Sequence, residues 1–272
     1  MNIMYFFGSN QKPIDLFGKD TAQHQAFLKA TATICPGAAY LRNYIISLAD
    51  PEALQYKAVM PDLFTLVYKV KNKEHEDKIE IDTLPKHPTF VYRRTTNEAK
   101  EDDVALCAHT THGTDAYIVR ELTARCNHNK VHLNNVAQML IERLSVDIEI
   151  SYMLPIEAIT WESGICSIVG IDYITNQTVN QLSNLYCETL LKQIQRVLNH
   201  KTFPVITVHD SFHSHPNNMD RVREVYMEII VEIAKSTLLD SMLSQITGYP
   251  ITIEKMSDDL GAEIEKGTYW LS

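Results

Sequence analysis

The sequence predicts an α+β protein, and three observations carry that reading. In residues 217–235 the apolar positions Val222, Val225, Tyr226, Ile229, Ile230 and Ile233 recur every three to four residues, the spacing of a helix with one face on a core. The run Phe203-Pro204-Val205-Ile206-Thr207-Val208 is short and β-branched, as a strand is. Residues 63–71 and 78–83 flank the charged stretch Lys71-Asn72-Lys73-Glu74-His75-Glu76-Asp77-Lys78 and read as a hairpin around a turn. At 272 residues, 45% apolar and 22% charged, the chain can bury one large core or two small ones, and disorder is excluded as its main state.

Taken in order, residues 20–57 read as helical and are followed by the hairpin and a further strand at 89–93, after which Thr95 to Asp103 is a polar loop. Helix is expected from Asp115 to Arg125 and from Asn134 to Leu144, where Val136, Met139, Leu140 and Ile141 share a face. Strands are expected near 146–153 and 165–174, then a long amphipathic helix through Leu182, Leu185, Leu190, Ile194 and Val197. With 9 glycines, 10 prolines and no repeat or linker, the chain reads as one intertwined unit.

Charge and cysteine usage narrow the class. Only 25 basic residues stand against 34 acidic ones, a net charge of -9, so the chain is not a self-sufficient nucleic-acid binder and a partner must supply positive charge. Cys35, Cys107, Cys126, Cys166 and Cys187 are odd in number, widely spaced and without a C-x-x-C pair, which signals reduced, mostly buried thiols. No apolar run is long enough for a membrane span, and Met1-Asn2-Ile3-Met4-Tyr5-Phe6-Phe7 lacks the features of a signal peptide, so a cytoplasmic location without membrane partners is expected.

The strand 203–208 runs straight into His209-Asp210, a placement that turns a carboxylate out of a sheet edge toward a hard cation. One Asp is half of a two-metal site and needs a second carboxylate nearby. The other reading is that Asp210 caps the turn with its side chain. A separate, weaker pattern is Cys107-x-His109-x-x-His112 with His128-x-x-x-His132, whose spacings suit zinc. Eleven histidines produce such spacings by accident, no His-Glu-x-x-His is present, and His209, His213 and His215 share a polar segment.

The tetrapeptide His209-Asp210-Ser211-Phe212 resembles motif C of the single-subunit RNA polymerases of phages and mitochondria. Upstream, His112-Gly113-Thr114-Asp115-Ala116-Tyr117-Ile118-Val119-Arg120-Glu121-Leu122 resembles that family's His-Ser-x-Asp-Ala-Tyr-Leu-x-Arg-Glu segment; a helix starting at a Thr114 or Asp115 cap is compatible with this. Gly267-Thr268-Tyr269-Trp270-Leu271-Ser272 resembles the family's aromatic ending. Met60-Pro61-Asp62-Leu63-Phe64 is similar to its Thr-Pro-Asp-Gly-Phe region, and Phe6-Phe7-Gly8-Ser9 to the tail of motif B, unless it is simply an aromatic cluster.

The resemblance implies the C-terminal palm and fingers portion of a right-hand polymerase, a DNA-directed nucleotidyltransferase. Segment 1–60 would be a helical fingers-side part, 61–125 a palm-side hairpin with the His-x-x-Asp helix, 126–202 a mixed helix and strand insertion, and 203–272 motif C with its following helices and a C-terminal foot. It implies catalysis by Asp210 and His209, with Asp210 holding Mg²⁺ and His112, Asp115, Ser211, Phe7 and Gly8 on nucleic acid or nucleotide. His112 would donate to minor-groove acceptors common to all bases. Tyr269, Trp270 and Ser272 would form a foot close to the active cleft. The family's motif A, with its Asp-Gly and second metal-binding Asp, is nowhere in this chain, and about seventy residues between Arg125 and Phe203 look inserted, as a docking surface or a thumb-side elaboration. The expected partner is therefore a second subunit with motif A and the motif B Arg and Lys, acting with DNA template, RNA product and ribonucleoside triphosphates, in the bacterial host cytoplasm if the chain is phage-encoded. The alternatives are a non-catalytic polymerase-like interaction protein and a zinc hydrolase.

Overall fold

The computed structural model describes residues 11–50, 52–69, 73–81, 83, 85–96, 105–146, 148, 150, 152–208, 211–255 and 257–267. The chain is mixed α and β and divides into two compact units, one of residues 1–57 and 67–111, the other of residues 58–66 and 112–272.

In the first unit three helices follow one another: α1 (Gln11–Phe17), α2 (Ala22–Ile34) and α3 (Pro36–Ser47). Gly18, at φ 80°, ends α1 by returning its N–H to Ile14, and a Cβ there would lie 2.9 Å from the Thr21 methyl, so the turn requires glycine. Thr21 then caps α2 by accepting from the His24 amide, and Pro36 opens α3, where its missing N–H is harmless. Helix was expected to residue 57, but it stops at Ser47, and β1 (Gln55–Val59) pairs with β2 (Thr65–Lys69).

The expected hairpin partners are corrected accordingly. β3 (Lys73–Glu80) pairs with β4 (Thr89–Thr96), antiparallel from Lys73↔Thr96 to Glu80↔Thr89. The charged stretch expected to be a turn is largely strand, because this ribbon stays in water on both faces and its charges need no burial. Ile79 and Phe90, cross-strand partners, are both exposed.

The second unit is built on α4 (Ala105–Cys126), which enters it at His112, and on α5 (Lys130–Leu144), α6 (Pro155–Ser163) and α7 (Asn184–Leu198). Leu133, Val136 and Leu140 of α5 meet Ile156 of α6 and Leu190 and Ile194 of α7 in its core. No strand forms at 165–174, nor among the described residues of 146–153. Ile168, Ile171 and Ile174 are all buried at a spacing of three, the period of the 3-10 turn Val169–Tyr173 that forms there. Gly170 lies so close beneath Ile156 that a Cβ would sit 2.3 Å from its terminal methyl. The expected mixed character of residues 126–202 is thereby corrected to helical among the described residues. Leu185, expected on the buried face of α7, is exposed, while Leu182 is buried just before the helix begins.

The remaining elements are β5 (Ile206–Val208), β6 (Ser211–His213), α8 (Met219–Lys235), α9 (Leu238–Thr247) and α10 (Leu260–Lys266). Helix α8 buries Val222, Val225 and Ile229, as its periodicity predicts. Among the described residues the strands form three separate two-stranded sheets, and those of segments 64–70, 79–83 and 203–208 do not share one sheet. Among the described residues no helix is long and apolar enough to cross a membrane.

Candidate functional site

The site expected from the sequence centres on the β5–β6 ribbon. Ile206 pairs with His213, Thr207 with Phe212 and Val208 with Ser211; the intervening His209 and Asp210 lie outside the described residues. Phe212 packs on Tyr226 of α8 with ring centroids 6.0 Å apart, which fixes one face of the ribbon against that helix. Ile206, Val208, Ser211 and His213 share the other face and are exposed. At its base the Phe203 amide donates to the carbonyl of Cys126, the last residue of α4 (2.9 Å), and the Ser214 hydroxyl donates to the Pro204 carbonyl (2.9 Å). The ribbon thus starts from the C-terminal end of the helix that carries His112 and Asp115.

Those two residues are one turn apart in the body of α4, His112 exposed and Asp115 half-buried. The expected helix start at Thr114 or Asp115 is corrected to Ala105. The extra turns form because Leu106, Cys107 and Thr110 are buried there, and the Thr110 and Thr111 hydroxyls find acceptors in the Leu106 and Cys107 carbonyls one turn back. Phe7, Gly8, Tyr269, Trp270 and Ser272 lie outside the described residues.

Two further segments singled out in the sequence meet. Arg120 of α4 donates from Nε and Nη2 to both carboxylate oxygens of Asp62, the second bond at 3.2 Å, and its guanidinium lies 4.3 Å over the Phe64 ring. The Asp62 side chain is 1% exposed, so this is a largely desolvated, bidentate pair. The turn that presents it runs through Leu63 at φ 62°, closed by the Leu63 amide on the Met60 carbonyl and the Met60 amide on the Phe64 carbonyl.

Behind this face lies a buried ionic network. Glu121, fully buried, accepts from Arg125 Nε (2.9 Å), the Ser167 hydroxyl (2.6 Å) and the Ile168 amide (3.1 Å). Arg125 reaches on to Glu232 of α8 (2.5 and 3.1 Å), which also accepts from Arg196 of α7 (2.9 Å). Burial works against the charge on Arg125, but Glu121 and Glu232 outweigh it and hold its proton more tightly than usual. Burial, reinforced by Glu121, also pushes the Tyr117 hydroxyl far above its ordinary range. The network ties α4, α7 and α8 together and so fixes the floor on which Phe212 rests. In sequence these residues look like ordinary solvated helix charges; the only signal was the i, i+4 spacing of Glu121 and Arg125.

A cleft of about 280 Å³ opens beside Thr114, walled by Ile233, Leu238, Leu239, Ile253 and Leu260. Its polar residues are engaged: Lys255 donates to the Ala234 and Ser236 carbonyls, and Asp240 accepts from the Ile253 amide. Among the described residues the histidines do not assemble as a zinc site. His109 stacks on Tyr68 at 4.8 Å, the His128 ring bonds the Arg125 carbonyl, and His132 bonds Asp172 at 3.0 Å. Among the described residues no three His, Cys, Asp or Glu side chains are placed to hold a metal ion. No two of the five cysteines are bonded, and four of them are buried.

In the comparisons with known proteins, no family model and no curated protein matches this chain.

Proposed function

We propose that this chain is one subunit of a DNA-dependent RNA polymerase of the single-subunit phage and mitochondrial type, completed by a second chain that carries motif A. The observation that carries the reading is the β5–β6 ribbon that flanks His209-Asp210 in sequence. The tetrapeptide follows one strand of an antiparallel pair and ends in the other, and the Phe212 ring is seated on the helix that follows. A ribbon of this kind, rooted on the helix that bears His112 and Asp115, is a rigid support for a metal-binding carboxylate.

Two structural details favour the reading. The segments Met60–Phe64 and His112–Leu122, each similar to the family on its own, are joined through Asp62 and Arg120. Leu63, which adopts φ 62°, stands where the family pattern has Gly, the residue suited to that backbone.

Asp210 would supply one carboxylate to Mg²⁺, and a complete site needs a second from the partner. When bound, the Mg²⁺ pair supplies activation of the RNA 3′-hydroxyl for in-line attack and neutralises charge on the leaving pyrophosphate. In this chain His112 positions the hybrid by donating to groove acceptors, Asp210 holds its share of the metal charge, and Ser211 lies on the exposed face of the ribbon beside it.

Primed extension on a DNA template tests the reading, using this chain co-expressed with a partner containing motif A. Activity should require both chains and should fall by several orders of magnitude in Asp210→Ala while the thermal midpoint is unchanged. Full activity of Asp210→Ala would leave only a non-catalytic interaction role.

A further inference from the structure

The cleft beside Thr114 is walled by α4, by the corner between α8 and α9, by Ile253 and Lys255, and by Leu260, the first residue of α10. All of these belong to the second unit. Each polar side chain in the wall is engaged: Thr114 with the Met242 sulfur, Ser236 with the Ile233 carbonyl and the Leu238 amide, Asp240 with the Ile253 amide, and Lys255 with the Ala234 and Ser236 carbonyls. The aliphatic part of the wall is uncovered, with Leu260 47% exposed and Ile233, Leu239 and Ile253 half-buried. At about 280 Å³ the cleft lies below the roughly 300–1,000 Å³ of small-molecule sites, and its surface suits an apolar side chain.

The chain carries such side chains close by. The described residues end at Gly267, which leaves α10 with extended backbone, φ -67° and ψ 148°. Tyr269, Trp270 and Leu271 follow, three large apolar side chains in succession, and residues 268–272 include no charged side chain. Helix α10 is fixed on α8: a Cβ at Gly261 would meet Lys235 Cε at 2.5 Å, and Lys235 Nζ donates to Glu265 at 2.9 Å. The seven residues of α10 rise about 10 Å, and three extended residues beyond Gly267 span about the same distance. A chain that turns back along α10 therefore brings position 270 level with Leu260, at the mouth of the cleft. Burying one aromatic side chain there removes about 150–250 Å² from water.

We infer that Trp270, flanked by Tyr269 and Leu271, seats in this cleft and braces α4 at Thr114, two residues from His112. The occupant is the chain's own segment because one anchored seven-residue helix joins it to the wall, which makes their meeting intramolecular and favours it over any outside partner. This seat is independent of the function proposed above.

Tryptophan occurs only at positions 161 and 270, so Trp161→Phe leaves Trp270 as the sole indole of the full chain. Its emission should be blue-shifted from that of free tryptophan and weakly quenched by acrylamide. Adding Leu260→Lys, which puts an ammonium on the wall at an already exposed position, should move the emission to the red and raise the quenching about threefold. A photoreactive amino acid at position 270 of the otherwise unchanged chain should cross-link, in a product of monomer size, to peptides that hold Thr114 or residues 233–240. Emission like that of an indole in water, no response to Leu260→Lys, or cross-links only to a second copy or to another protein would overturn the inference. None of these readouts involves nucleotide transfer, so the polymerase reading stands or falls separately.

Discussion

Arg120 grips both oxygens of Asp62 from a position four turns into α4, and the same guanidinium lies over the face of Phe64. One side chain thereby locks a five-residue turn to the helix that bears His112. Asp62→Ala and Arg120→Ala should each cost about 2–4 kcal/mol, since either leaves a partner charge poorly solvated, and the double variant should cost less than their sum. Urea denaturation of the four proteins measures the coupling; additive losses would mean the contact contributes nothing.

Replacing Glu121 should be more damaging than replacing Glu232. Glu121→Ala strands the Arg125 guanidinium, the Ser167 hydroxyl and the Ile168 amide at once in a buried setting, about 3–5 kcal/mol. Glu232 is partly exposed, so water replaces some of what Glu232→Ala removes. Equal midpoints for the two variants would contradict this ranking.

Leu63→Gly should be more stable than Leu63→Ala by about 1 kcal/mol. Both variants lose the packing of the leucine side chain against the core, but only glycine relieves the left-handed backbone at φ 62°. Thermal melts of the pair decide the point, and an alanine variant equal to or above the glycine variant would refute it.

The thiols should give stability a sign at high pH. Burial pushes Cys126 and Cys166 up to about 12 and Cys187 to about 11, from an ordinary 9.0. The unfolded chain therefore loses these protons first. Their contribution is complete below pH 9 and disappears as pH rises from 9 toward 11–12, at about 1.4 kcal/mol per pH unit for each thiol within that window. Denaturation between pH 8 and 10.5 should show the decline, and it should shrink in Cys126→Ser. At pH 8 a thiol reagent should modify half-buried Cys35 rapidly and the other four only on unfolding.

How far the sequence carried depended on whether a residue's partner was local. The helix through Val222, Val225 and Ile229 was legible because its periodicity is its own, and so was the strand ending at Val208. The evenly spaced Ile168, Ile171 and Ile174 are β-branched and misled toward a strand, although a spacing of three on one buried face belongs to a 3-10 turn. Lys73–Glu80 misled in the other direction, since a ribbon solvated on both sides carries no alternation to read. Of the candidate site, the ribbon and the two α4 residues were visible in outline. The Glu121–Arg125–Glu232 network was not, because Glu232 lies more than a hundred residues from Arg125 and nothing in a helix's own sequence tells a buried charge from a solvated one.

The β3–β4 ribbon has a consequence for how the protein behaves in concentrated solution. A two-stranded ladder offers an open hydrogen-bonding edge on each side, and Ile79, Phe90 and Val91 would reward another strand that aligned there. Standing against such stacking are Glu76, Asp77, Lys78, Arg93 and Arg94, which place unlike charges in fixed order along the ladder. An incoming copy finds its own charges opposed in most registers. These residues act as gatekeepers, so removing charge from Glu76, Lys78 and Arg93 would leave the fold intact and convert the ribbon into a seed for aggregation.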